Sequence, residues 1–290
     1  MLTDVPGVRV GHWTGEGTGV TVIVVPAESV GSCEVRGGAP ATRETALLEP
    51  GRTVERVDTI VLTGGSAFGL AAADGVAHAL AEFGRGFPTR GGPVPIVPAA
   101  AIYDLVEANT APPGPEEGRM ALADAARRGL GNPFPIGRVG AGAGATIGKW
   151  RGGDHAVPGG LGTASGREGD AMIGAIAVVN AVGDVIAADG SVLAGSSAPP
   201  DAPSFPAPAP FEHTTLVAIV TNAKCTKSEC RLLAESAHHG LVRAIHPSHT
   251  RHDGDVAFAV ATGEVEGVQI DRLRVLATEI TAEAVRSAVA

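Results

Sequence analysis

Cysteine, positive charge, long apolar runs and internal repeats are all scarce in this chain. Only three cysteines occur in 290 residues, Cys33, Cys225 and Cys230. So odd and sparse a set excludes a disulfide framework and fits a reducing compartment. Lysine and arginine number 22 against 31 acidic residues, a formal net charge of −9. That balance argues against nucleic acid or an anionic membrane as the partner. No apolar run is long enough to cross a bilayer as a helix. The opening "MLTDVPGVRV" has no basic stretch leading into an apolar one. A soluble, unexported, cytoplasmic protein is therefore expected. No repeat at solenoid spacing is present, which removes stacked-array folds.

What is present is apolar and rich in turns. Hydrophobic residues make up 44% of the chain and charged ones 18%, the balance of a globular protein with a substantial core. The 41 glycines and 21 prolines imply tight turns and close backbone approaches. Strands are predicted at Gly19–Pro26, Asp58–Ser66 and Gly254–Gly263, with a short one in "VPIVPAA" interrupted by prolines. A hairpin of two buried strands is predicted over Asp170–Gly190, turning near Asn180–Asp184. Helices are predicted after Ser66 with a stop at Gly84, over Glu116–Gly129, and over the closing "DRLRVLATEITAEAVRSAV". A further helix starts at "TKSE", where Thr226 can cap and Glu229 can reach back. "SAPPDAPSFPAPAP" (Ser197–Pro210) reads as an extended, solvated linker. Strands and helices are mixed without strict alternation, which favours an α+β layered sandwich over a doubly wound sheet.

Directly after that linker comes "EHTTLVAIVTN", Glu212–Asn222. Leu216–Val220 has the continuous, β-branched character of a buried strand, and two threonines stand at its mouth. A threonine hydroxyl becomes a nucleophile when a base takes its proton. The most economical base is the α-amine of the same residue, which exists only if the chain is cut before it. With a pKa of roughly 7.7–8.0, that amine is well placed as a general base. On this reading the His213–Thr214 bond breaks autocatalytically. The linker, within a tail spanning 197–213, then becomes the end of the first fragment. The plainer alternative is a threonine chosen for strand propensity alone.

The stretch "TTLVAIVTN" resembles the precursor cleavage site of the DmpA-like family: L-aminopeptidase/D-esterases, β-peptidyl aminopeptidases and nylon-oligomer hydrolases. "RGGAPATRET", "LTGGSAFGLAAADGV", "VPIVPAA", "GAGATIGKW", "AVVNAVGDV", "HTRHDGD" and "FAVATGE" resemble further family blocks in the family order, over nearly the whole chain. The resemblance implies a single domain, 1–290, with an N-terminal-nucleophile-type αββα four-layer sandwich, self-processed into 1–213 and 214–290. It implies Thr214 as nucleophile, Asn180 as oxyanion donor, Asp253 and Asp255 as the acidic pair holding the nucleophile, and Lys149 as the nearby cation. Tyr103, the only tyrosine, lies where relatives place an active-site tyrosine. Alone, the D-x-D would read as a solvated turn, Lys149 as a surface lysine and Asn180 as a turn residue.

Two departures stand out. His213 precedes the nucleophile where relatives often carry Asn or Gly, which bears on the efficiency of processing. Aspartates at 253 and 255, rather than Ser and Glu, lean towards the nylon-hydrolase branch. Other signals are weaker. His246, His249, His252 and Asp253 invite a metal, but Pro247 breaks the helical spacing that would align them. "GAGATIGKW" fails the phosphate-loop pattern at Ala143 and Trp150, and Ser66 lacks the second glycine of a nucleophile elbow at Phe68. Cys225 lies near a helix start, where a thiol can be reactive, although a buried structural thiol is the simpler reading.

The expected protein is thus a self-processing peptidase or amidase acting on short peptides or peptide-like oligomers, without metal or organic cofactor. The resemblance implies a homo-oligomer, a tetramer of processed pairs. The competing classes are an acyltransferase of the ornithine acetyltransferase type and an uncut, non-enzymatic binding protein.

Overall fold

The ten residues Thr214–Ala223 are buried without a break, so their sheet must be covered on both faces. The computed structural model describes residues 1–206 and 213–290 and shows what covers them. With strands labelled in chain order, one five-stranded sheet runs β1 (Arg9–Thr14), β2 (Gly19–Val24), β5 (Thr59–Thr63), β6 (Ala99–Ala101), β4 (Ala41–Arg43). The second runs β7 (Gly160–Glu168), β8 (Ala171–Asn180), β11 (Thr214–Ala223), β13 (Val256–Val265), β3 (Val30–Val35).

Side-chain alternation sorts these strands into three apolar layers. Ile23 and Leu62 meet Ile176, Val178, Leu216, Ala218 and Phe258 between the two sheets. On the outer face of the first sheet, Val22 and Val61 pack with α1 (Ala72–Glu82) and α2 (Pro115–Arg128). On the outer face of the second, Val217, Ile219 and Ala259 pack with α3 (Lys227–Ala244) and α4 (Ile270–Ser287). Each fully buried Val, Leu or Ile contributes about 1.5–3 kcal/mol, so the inter-sheet layer is what holds the halves together. The result is the expected four-layer αββα sandwich. Contact between layers is close: a Cβ on Gly11 in β1 would stand 2.3 Å from the Ala121 carbonyl oxygen of α2. No helix among the described residues is long and apolar enough to cross a membrane.

Local signals account for most elements. Thr226 caps α3 as its sequence suggests: its Oγ1 accepts the Glu229 N–H at 3.2 Å, and Glu229 Oε2 accepts the Thr226 N–H at 2.8 Å. The segment after Ser66 forms a single turn, Ser66–Gly69, before α1, and Gly84 follows α1 with φ +72°. Of the tail 197–213, residues 207–212 lie outside the described residues, and 197–206 carry no strand.

Two expectations need correcting. Asp170–Gly190 is not a hairpin. β8 pairs with β7 and β11, while β9 (Asp184–Ile186) joins a separate small sheet with β10 (Val192–Ala194) and β12 (Ile245–His246). The connection between β8 and β9 is pinned elsewhere: Gly148 N–H donates to Gly183 O and Trp150 N–H to Val182 O, both at 2.9 Å. "VPIVPAA" is strand only at its two ends: Val94 closes a short strand, Gly92–Val94, paired with Phe87–Thr89, and β6 starts at Ala99. Its upstream N–H groups are taken by side chains, Ile96 by Asp58 and Val97 by Glu44, each at 2.9 Å.

Candidate active site

Thr214 opens β11 directly opposite Asn180, the last residue of β8. Leu216 and Ala218 face the inter-sheet layer, as do Ile176 and Val178, so alternation places Thr214 and Asn180 on that same face. Thr214 is 4% exposed, and its hydroxyl donates to the carbonyl oxygen of His213 at 2.5 Å. The same oxygen accepts the Gly254 N–H at 2.8 Å, because His213 bridges Asp253 in parallel register. Residue 254 also packs against the 39–40 segment, where a Cβ would stand 2.5 Å from the Ala39 carbonyl oxygen, so glycine is required there.

The two aspartates flank this bond. Asp255 Oδ1 accepts the Thr215 N–H at 2.6 Å, and its Oδ2 lies 2.7 Å from His249 Nδ1. Asp253 Oδ2 accepts from Thr250 N and Oγ1 at 2.8 and 2.7 Å, while Oδ1 takes the Val182 N–H at 3.4 Å. Burial, reinforced by the Asp255 charge, pushes the Asp253 carboxyl up to about 6. Behind them, His238 Nε2–H donates to Glu34 O at 3.0 Å, and burial, helped by the neighbouring His249, holds its ring down to about 3. His249, first noticed as a metal candidate, instead stands on Asp255. No group of three or more His, Cys, Asp or Glu able to hold a metal occurs among the described residues.

On the other side of Thr214, Asn180 is held by four described hydrogen bonds. Its Oδ1 accepts from Lys149 Nζ at 2.8 Å, Thr146 N at 3.0 Å and Thr146 Oγ1 at 3.4 Å. Its Nδ2 donates to Tyr103 O at 3.0 Å. Lys149 thus sits on the Asn180 side of the site, and Tyr103 contributes its main-chain oxygen as well as a side chain in the adjoining cleft. That cleft has a volume of about 260 Å³, with Tyr103, Glu107, Lys149, Asp154, Phe205 and His213 among its walls. Cys225 lies outside the site, and burial pushes its thiol up to about 11. Sequence reasoning missed Thr146, Glu107 and Gly254, none of which has chemistry visible without its spatial neighbours.

The sequence profile described as Peptidase family S58 matches residues 1–290. The chain belongs to peptidase family S58. It is accordingly a hydrolase of amide bonds. This S58 chain is 40% identical over 293 residues to an uncharacterized aminopeptidase, ML1167, of Mycobacterium leprae, covering 91% of this chain and 79% of the relative. It is 34% identical over 306 residues to the 6-aminohexanoate-oligomer endohydrolase of Kocuria sp. (strain KY2), covering 96% and 81%. Its structure matches the L-aminopeptidase D-Ala-esterase/amidase of Ochrobactrum anthropi with a TM-score of 0.76 at 20% identity, covering 99% of this chain and 85% of that one. That protein is described as a new variant among the Ntn hydrolase fold, and the likeness establishes the fold of this S58 chain.

Proposed function

We propose that this protein cuts itself between His213 and Thr214. It then hydrolyses amide bonds of short peptides or peptide-like oligomers with Thr214 as an N-terminal nucleophile. The observation that carries this reading is the shared oxygen at the cut: the Thr214 hydroxyl and the Gly254 N–H both donate to the His213 carbonyl. A carbonyl polarised by a main-chain donor, with a hydroxyl one residue away, is prepared for an N-to-O acyl shift. The Thr214 oxygen adds to the His213 carbonyl carbon, and the Gly254 N–H holds the oxyanion. The C–N bond breaks as the nitrogen gains the hydroxyl proton. Water then hydrolyses the ester, leaving a carboxylate on His213 and a free α-amine and hydroxyl on Thr214.

In turnover the same hydroxyl attacks the substrate carbonyl, and the α-amine carries its proton to the leaving amine. Asn180 supplies an N–H to the substrate oxyanion, while Lys149 and Thr146 fix its amide through Oδ1. Asp255 holds the start of β11 by the Thr215 N–H, and Asp253 fixes the turn that presents Gly254. The products of self-cleavage, 1–213 and 214–290, remain one domain and associate as homo-oligomers. The aminopeptidase and oligomer-hydrolase names of the relatives support substrates of these two kinds. A denaturing gel with intact-mass analysis tests the reading: the two fragments are expected, and none in Thr214→Ala. A wild-type chain that stays whole through prolonged incubation would refute it.

A further inference from the structure

We propose that His249 is a positioning residue for the nucleophile. It acts through Asp255: its Nδ1–H fixes the carboxylate that holds the head of β11, and so aims the Thr214 hydroxyl. The proposal rests on the functional reading above and adds to it a residue with no role there. The ladder between β11 and β13 begins at Leu216, opposite Val256. Ahead of it, the Thr215 N–H goes instead to a side chain, Asp255 Oδ1 at 2.6 Å. In the intact chain a second tie lies upstream, where His213 O accepts the Gly254 N–H at 2.8 Å. That tie reaches Thr214 only through the peptide bond that self-cleavage breaks. Once the bond is broken, the Asp255 contact is the described tie between this end of β11 and the β13 side, while the Asn180 pairing serves the β8 side.

Asp255 is buried, so its second oxygen needs a donor of its own. His249 Nδ1 supplies it at 2.7 Å. The other ring nitrogen confirms which one carries the proton. His249 Nε2 is buried with no hydrogen-bond partner among the described residues, so a proton there would have no acceptor. The backbone is bent to aim this ring. His249 has φ +53°, a left-handed conformation that costs least for glycine and asparagine. Such a residue persists where its surroundings over-determine it, and here two contacts do. The turn that follows is closed by Asp253 Oδ2, which accepts from Thr250 N and Oγ1. The ring itself meets His238 of α3 edge-on, with centroids 4.8 Å apart. His238 Nε2–H is in turn bonded to Glu34 O of β3 at 3.0 Å. A continuous line of contacts thus runs from β3 through α3 and His249 to the first residues of β11.

The test compares wild type with His249→Gly and His249→Asn. Both replacements suit the left-handed backbone, so neither strains the turn. Asparagine carries an N–H close to where the imidazole carries Nδ1, and glycine carries none. Fragments are verified by mass, thermal unfolding midpoints are recorded, and kcat and KM are measured for the p-nitroanilides of L-alanine and 6-aminohexanoate. The glycine variant is expected to cut itself and to lose about tenfold to a hundredfold in kcat at unchanged KM, as a misplaced nucleophile does. The asparagine variant recovers most of that loss. A glycine variant that stays uncut beside a cut asparagine variant also supports the proposal, since the same hold then serves the first acyl transfer. A glycine variant with wild-type kcat, equal losses in the two variants, a loss confined to KM, or a glycine variant that fails to fold makes the histidine structural and overturns the proposal, leaving the nucleophile reading standing. A wild-type chain that stays uncut, or is cut and inert to both substrates, sinks both.

Discussion

Asn180→Asp separates the stability of this site from its catalysis. The substitution keeps the shape of the side chain and the oxygen that accepts from Lys149 at 2.8 Å and Thr146 N at 3.0 Å. It replaces the amide N–H groups with a charged oxygen. Tyr103 O, which accepts from Nδ2 at 3.0 Å, is then faced by a second oxygen. Losing that donor costs about 1–3 kcal/mol of stability, partly offset by the new charge beside Lys149. The transition state loses a donor worth about 2.7–4 kcal/mol, a hundred- to a thousandfold in kcat. Urea unfolding reads the first quantity, and steady-state kinetics on the cut protein reads the second. A folded, cut variant whose kcat falls less than about tenfold refutes Asn180 as the oxyanion donor. A loss confined to KM would assign it to ground-state binding instead.

Other expected outcomes follow from single contacts. Thr214→Val, nearly isosteric, yields one uncut chain on a denaturing gel; any fragment beginning at residue 214 would exclude the hydroxyl as the attacking group. His238→Gln flattens the acid side of the stability curve. The folded value near 3 lies below the unfolded value of about 6.5, so the native state binds fewer protons between them and loses stability as pH falls through that window. At about 1.4 kcal/mol per pH unit, this histidine removes roughly 2–3 kcal/mol between pH 6.5 and 4.5. The variant's unfolding free energy at pH 7.5 and 4.5 should differ by that much less than wild type's. Asp104 and Asp253, both pushed up to about 6, slope the opposite way and are common to both proteins. Lys227→Met lowers unfolding free energy by about 3 kcal/mol without changing kcat. It leaves the carbonyls of Leu47, Arg52 and Val54, now bonded to Nζ at 2.8–3.2 Å, without that donor; unaltered stability would deny the clamp. The buried thiols of Cys33 and Cys225, pushed up to about 11, should resist Ellman's reagent at pH 8 until the protein is unfolded.

The sequence is most legible where the physics is local. The cap of α3 needs only Thr226 and Glu229, and the core character of β11 follows from unbroken apolar residues between Leu216 and Val220. The four layers and the grouping of Thr214 with Asn180 and Lys149 needed block-by-block resemblance, because they depend on β8 pairing with a strand more than thirty residues away. The hairpin expected at Asp184 failed for the same reason in reverse. Two apolar runs around a short turn are a local signal, while the ties from Gly183 and Val182 to the 148–150 turn are not. Edge strand β7, "GLGTASGRE", has too much glycine to read as a strand at all; its pairing with β8 is what orders it. Glu107 and His249 are ordinary polar residues until Thr146 and Asp255 stand beside them.

The unbroken burial of β11 has a consequence for what severing its first bond would do. The later piece of the chain holds two adjacent strands of one sheet, β11 and β13, with the two helices that cover it, and β11 lies hydrogen-bonded between β8 and β13. A break at residue 213 would leave the folded body whole yet turn its reassembly into a meeting of two molecules. Heated and cooled, the intact precursor could recover at any dilution, whereas the mature form would recover only in proportion to how often its halves collide.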